Sequence, residues 1–341
     1  MAEWYFIQGI HRSGTTILGT WLQETGTFRT LTLGDIINIS QDPVLSARFE
    51  PALKGGITHL RNLRDALGNL TREFDDIRVT RDLFEEYAHL TMSKPPFSRW
   101  LNLLRLQKPW NQFNPKYVFK LGRDNIERFM AMSQIIGRGD DRPQLFKNPF
   151  DVANPFVYGL EAKHIFIFRD PIDILSSMVR QVRENYRRKN PYIYAVSRFY
   201  RESYRGWWYR LASLYGVSTP FGVRVLARRI ITELNAQMDL MSALDKNQYV
   251  CVDYDFMCRD EDSSASEGHP RRDHTVSHIL RFFGLDTKGI VKIKSRTKRR
   301  INRLPAMVSN LKPYLEKKLP LYLDKMTEVR ENLEREFRER Q

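Results

Sequence analysis

The chain has 341 residues, enough to bury a large core, which favours one α/β domain with insertions over several independent domains. Its two cysteines, Cys251 and Cys258, are too few for a disulfide scaffold or a four-cysteine metal site, and both read as ordinary residues. No apolar run has the length of a membrane span and the first strand follows Met1 almost at once, so neither a membrane span nor a signal peptide is expected and the expected location is cytoplasmic.

The first apolar run, Trp4 to Ile10, reads as a buried parallel-type strand. It opens into Gly9-Ile10-His11-Arg12-Ser13-Gly14-Thr15-Thr16, followed by a helical segment from Thr16 to Gln23. The spacing G-x-x-x-x-G is that of a phosphate loop, whose backbone N–H groups and helix N-terminus cradle an anion. Thr15 stands where the lysine of such a loop belongs, and Arg12 keeps a positive charge in the loop three positions earlier. The loop therefore predicts a nucleotide-like anionic ligand without ordinary γ-phosphoryl transfer.

From about residue 40 to 140 the chain inserts mostly helical sequence, including Leu60 to Leu70, Arg81 to Thr91, Trp100 to Leu106 and Ile126 to Ile136. That is too long for a loop, and it reads either as a cap over the active edge of the sheet or as a stabilising insertion. Further strands are expected at Gln144 to Phe146, His164 to Phe168 and Tyr249 to Val252, and helices at Pro171 to Arg188, Ile193 to Leu214, Val223 to Leu244 and Thr275 to Phe283. Residues 260–273 read as a polar surface loop, and no internal repeat is present. Strand, loop and helix in succession imply a doubly wound parallel sheet flanked by helices, with ligands at the carboxyl ends of the strands.

Residues 287–341 hold 16 Lys/Arg against 7 Asp/Glu, and half of those cations fall between Lys288 and Arg303 with no acid among them. Nucleic-acid binding, closure over a small polyanion and a solvated basic surface all fit such a run. From residue 305 onward, Leu311, Leu315, Leu319, Leu323 and Met326 read as an amphipathic, structural helical tail interrupted at Pro320.

Two more constellations end strands. Arg169 follows Phe168, and Ser177 lies eight residues on, inside a helix, so a forked donor and a hydroxyl can converge on one oxyanion. Arg169 capping a helix or pairing with Asp173 is the plainer alternative. Lys147, in Leu145-Phe146-Lys147-Asn148-Pro149-Phe150, places an ammonium at another strand end. The aromatic cluster Tyr200, Tyr204, Trp207, Trp208 and Tyr209 could floor an acceptor, although its helical spacing also suits core packing.

Taken together, Gly9 to Thr16, Lys147 to Phe150, and Arg169 with Ser177 resemble the sulfotransferases that use 3′-phosphoadenosine 5′-phosphosulfate (PAPS), nearest to the tyrosylprotein and bacterial small-molecule branches. The resemblance covers roughly residues 4–35 and 144–303, leaving the 40–140 insertion without a counterpart. It implies a P-loop NTPase-like sulfotransferase fold in a single domain. It implies that Arg12, Ser13, Gly14, Thr15 and Thr16 hold the 5′-phosphosulfate and that Arg169 and Ser177 hold the 3′-phosphate. Tyr254 resembles the tyrosine that follows a strand near that phosphate, and Ser295, Arg299 and Arg300 are candidates for a basic segment, about 288–303, that covers the nucleotide. It also implies catalytic roles for Arg12 and Lys147, no metal and PAP as product. The motifs lean toward the tyrosylprotein branch, but the expected cytoplasmic location argues against a secretory-pathway protein or proteoglycan substrate. The expected partner is therefore a small-molecule acceptor (a natural product, sugar or lipid) and not a nucleic acid, leaving room for a homodimer.

Asp35 falls where the tyrosylprotein branch carries its catalytic acid, which makes it the first candidate for general base; a helix N-cap is its other reading. His11, inside the loop and titrating near neutrality, is the second candidate, or else a contact to the anion. Two rival readings remain at this level. An atypical kinase or NTPase would need Asp253 or Asp255 as a Mg²⁺ ligand, and a basic nucleic-acid-binding protein would need aromatic residues for base stacking, which Lys288 to Arg303 lacks.

Overall fold

The computed structural model describes residues 3–10, 12–29, 141–148, 162–188, 219–259, 269–294 and 306–340. In chain order they form β1 (Trp4–Gln8), α1 (Thr15–Glu24), β2 (Gln144–Asn148), β3 (Ala162–Phe168), α2 (Pro171–Arg188), α3 (Pro220–Ala243), β4 (Tyr249–Asp253), α4 (Tyr254–Met257) and α5 (Pro270–Phe282). A 3₁₀ turn at Lys288–Lys292 follows, and then α6 (Ala306–Ser309), α7 (Lys312–Lys318) and α8 (Pro320–Arg338).

The sheet order is β2-β1-β3-β4 and every pairing is parallel. From β1 the chain moves to one side for β2 and then to the other for β3, so the strand order reverses between β1 and β3. In sheets of this kind, ligands bind outside the carboxyl ends of the strands at that reversal. The strands are largely apolar because both faces are covered, with Gln8, Gln144, His164 and Asp253 as buried polar exceptions. Tyr5, Ile7, Ile165, Ile167, Val250 and Val252 pack with Leu18, Trp21 and Leu22 of α1 and with Val276, Ile279 and Leu280 of α5. Phe166 and Phe168 pack on the opposite face, with α2, α3 and the helices of the tail. The chain is thus a doubly wound α/β fold.

Local chemistry sets the helix ends. Pro171 opens α2, where its missing N–H costs nothing, and the Asp170 carboxylate accepts the Ile172 N–H at 2.9 Å. Thr219 caps α3 by accepting from the Gly222 N–H at 3.2 Å, again ahead of a proline. Gly284, at φ 68°, lets the Leu285 N–H close α5 on the Leu280 carbonyl at 2.7 Å. The tail breaks where Pro320 predicts, since α7 ends at Lys318 and α8 begins at Pro320.

Several expected boundaries move. β1 stops at Gln8 and not at Ile10, because the Ile10 carbonyl already closes a loop turn onto the Ser13 N–H at 3.0 Å. β2 runs on through Lys147 to Asn148. Residues 270–273, expected in a polar loop, are the first turn of α5, opened by Pro270. The 40–140 insertion, the helix expected at 193–214 with its aromatic cluster, and residues 260–268 lie outside the described residues. No helix among the described residues is long and apolar enough to cross a membrane.

Of the basic segment about 288–303, residues 288–294 are described. Its 3₁₀ turn sits against the last turn of α1, so close that a Cβ on Gly289 would collide with the Thr25 carbonyl. The Lys294 N–H is held by the Glu24 carboxylate at 2.9 Å. Residues 288–294 therefore lie at the end of α1 remote from the phosphate loop, about 15 Å away at 1.5 Å per residue.

Candidate functional site

The loop between β1 and α1 is tightly wound. Arg12 is the one non-glycine residue with positive φ among the described residues, at 77°, and Gly14 has φ 108°. A side chain in that region costs about 1–3 kcal/mol and persists only where its surroundings hold it. Gly14 is required twice, since a Cβ there would also collide with the Tyr254 ring. As the N-cap of α1 it brings no side-chain acceptor to the helix N-terminus. The start of α1 thus keeps the dipole and N–H donors that suit an anion.

What surrounds the loop comes from the ends of β3, the strand next to β1, and of β4 beyond it. Register pairs Phe168 with Asp253, so Arg169 and Tyr254, the next residues along β3 and β4, meet across the strand ends. The Arg169 guanidinium lies 4.1 Å from the centre of the Tyr254 ring. Its Nη1 donates to the Arg12 carbonyl at 2.7 Å, and Arg12 Nε donates to Ser177 Oγ at 3.0 Å. Burial pushes the Tyr254 phenol up to about 12, which keeps it neutral near neutral pH.

Arg12, Gly14, Arg169, Ser177 and Tyr254, which span most of the chain, are therefore one contact network. Arg12 differs from its expected partnering: its Nε is turned to Ser177, the residue expected to work with Arg169. Ser13 Oγ and Arg169 Nε are buried and have no hydrogen-bond partner among the described residues. A buried, unpartnered hydroxyl just ahead of a helix N-terminus, an unpartnered N–H on the Arg169 guanidinium and the second guanidinium of Arg12 beside them fit a polyanionic ligand. Thr15 and Thr16 are the first residues of α1. Lys147 belongs to β2, its backbone in register with Ile7 at the carboxyl end of the sheet. His11, Asp35, Ser295, Arg299 and Arg300 lie outside the described residues, as does the side chain of Lys147.

The sequence did not point to two residues that complete the network. Tyr322 of α8 is buried; its hydroxyl accepts the Arg169 N–H at 3.0 Å and donates to the Arg169 carbonyl at 3.1 Å. Arg330, also on α8, grips both oxygens of Asp253 at 3.0 and 2.9 Å and reaches Asp255 at 3.0 Å. Asp253 in turn caps α4 by accepting the Phe256 N–H at 2.7 Å. Although burial opposes it, the hydrogen bonds and charge of Asp253 raise the Arg330 pKa, so the guanidinium stays charged. The two carboxylates that a kinase reading would give to Mg²⁺ are thus occupied by an internal cation.

No family model matches the chain and no curated protein matches it. Among solved structures it is similar to a sulfotransferase from Mycobacterium avium, at TM-score 0.52 and 12% identity over 95% of this chain and 76% of that one. It is also similar to a sulfotransferase from Alicyclobacillus acidocaldarius, at TM-score 0.43 and 11% identity over 96% of each chain. At this identity the likeness to the Mycobacterium avium protein is one of architecture, and the chain has the P-loop-like α/β fold found in sulfotransferases.

Proposed function

We propose that this chain is a sulfotransferase that moves a sulfuryl group from PAPS to a hydroxyl or amine of a small-molecule acceptor and releases PAP. The observation that carries this reading is the network at the β1–β3 reversal. A phosphate loop without its lysine is tied to Arg169, Ser177 and Tyr254, while Arg330 takes the acids that a metal–nucleotide complex would use. Such a site suits a nucleotide with phosphates at both ends.

PAPS supplies the activated sulfuryl group. The protein's task is to hold that group in line with the acceptor and to stabilise the charge that develops on the leaving oxygen. The N–H groups of Gly14, Thr15 and Thr16, the hydroxyl of Ser13 and the dipole of α1 face the 5′ end of the nucleotide. Lys147, at the end of the neighbouring strand, is assigned to the leaving oxygen, and Arg12 spans from the loop to the 3′ subsite. Arg169 and Ser177 hold the 3′-phosphate, and the Tyr254 ring backs the Arg169 guanidinium. Asp35 takes the acceptor's proton, with His11 as the competing base, and Ser295, Arg299 and Arg300 cover the nucleotide.

Calorimetry with PAP and, separately, with ATP plus Mg²⁺ tests the donor. PAP is expected to bind at least about tenfold more tightly, a difference of about 1.4 kcal/mol. The reverse order would overturn the reading in favour of a kinase or NTPase. Transfer of label from PAPS to a panel of alcohols and amines, read by product mass, then identifies the acceptor class.

A further inference from the structure

Resting on that reading, we infer that Tyr322 and Arg330 are positioning residues for 3′-phosphate recognition: α8 acts as a clamp that fixes Arg169 and Tyr254 from behind, although neither of its own side chains need touch the nucleotide. The hydroxyl of Tyr322 is spent wholly on the backbone of one residue, its two hydrogen bonds going to the N–H and the carbonyl of Arg169. Arg169 follows the last residue of β3, where the strand ends. Removing the Tyr322 hydroxyl takes a partner from both of those buried backbone groups.

The Tyr322 ring is itself held against Phe168, with centroids 5.1 Å apart, so the hydroxyl is delivered by a packed element. The direction of the Arg169 guanidinium follows from this fixed backbone, and its Nε is the buried donor left without a partner among the described residues.

Arg330 does the same for the other half of the pair. Its fork spans Asp253 and Asp255, the residues on either side of Tyr254, and so fixes the strand end that presents the ring. The two residues lie eight positions apart on one helix, about 12 Å along its axis, and reach the ends of adjacent strands. A helix that only covered apolar surface would need neither polar group. Both are directed at the residues that flank or carry the 3′ subsite.

The test compares PAP with adenosine 5′-monophosphate, which lacks the 3′-phosphate, on the full-length wild type, Tyr322→Phe and Arg330→Lys. In Tyr322→Phe the affinity for PAP is expected to fall about tenfold while that for the monophosphate stays within about twofold, so the preference collapses. Arg330→Lys keeps the charge but loses the fork, and the same selective loss is expected. An equal loss for both ligands, tracking the melting temperature, would reduce α8 to a packing element and overturn the inference, as would an unchanged preference in Tyr322→Phe. A wild type without preference for PAP would overturn the proposed function and the inference with it. Because Tyr322→Phe removes a single oxygen, it decides the matter even if Arg330→Lys does not fold.

Discussion

At the scale of single residues, the site depends on how closely Gly14 and Tyr254 approach. A Cβ at residue 14 would run into the ring, and the backbone there has a φ of 108° that side chains disfavour. Gly14→Ala is expected to cost about 1–3 kcal/mol of stability and to weaken PAP binding, because either the loop or the ring must yield. The two causes separate in a double-mutant cycle measured by denaturant unfolding. If ring contact matters, Gly14→Ala costs less in a Tyr254→Ala background than in the wild type. Equal costs in both backgrounds would assign the whole effect to backbone conformation. The same ring carries Arg169, and a cation over an aromatic face contributes about 0.5–2 kcal/mol according to its burial. One tyrosine thus shapes the phosphate loop on one side and supports a candidate anion-binding arginine on the other.

At the scale of elements, β1 and β3 share a buried polar pair behind the loop. His164 stacks between Phe6 and Phe166, at 5.9 and 6.1 Å, and its Nδ1 is 3.2 Å from Gln8 Nε2, with the amide donating to the neutral ring. Burial pushes His164 down to about 4. An unfolded histidine binds its proton near pH 6.5, so on acidification the unfolded state gains protons before the native state does. Stability therefore falls as the pH drops from about 6.5 towards 4, by about 2 kcal/mol at pH 5 from this residue. Urea unfolding at pH 7 and pH 5 should show the loss, and His164→Gln should reduce it. His274, also lowered to about 4 by burial, keeps part of the slope. A slope unchanged in His164→Gln would mean that the ring charges in place.

The elements legible in the sequence were those set by local pattern: strands as apolar runs, α2 from its proline, the tail break from Pro320. The start of α5 was not legible because Arg271, Arg272 and Asp273 read as loop residues. In the fold, Arg271 lies between Phe256 and Phe337, at 4.8 and 5.1 Å, and pairs with Glu334 at 2.6 Å. The loop, Arg169, Ser177 and Tyr254 were legible because each sits beside a strand end or in a motif of fixed spacing. Tyr322 and Arg330 were not, because their partners stand 153 and 77 residues upstream, a separation that no helical period encodes.

At the scale of the whole molecule, the tail is part of the core. Val308, Leu315, Leu319, Tyr322, Met326, Val329 and Leu333 all bury themselves in the cluster that also holds Phe166, Phe168 and the apolar faces of α2 and α3. Seven such side chains, at about 1.5–3 kcal/mol each, amount to on the order of 10 kcal/mol of burial, as much as a typical domain has in net stability. Glu334 adds a polar tie, paired with Arg271 and Arg259; burial acts to raise its carboxyl pKa, but these arginines outweigh it and hold it below its ordinary value. A chain ending at residue 305 is therefore expected to lose cooperative unfolding and to expose the α2–α3 face, with broadened amide resonances and binding of an apolar dye. Survival of a sharp two-state transition within a few degrees of the full chain would make α6 to α8 an appendage, and the α8 clamp on Arg169 would then have to be a late addition to a site already stable without it.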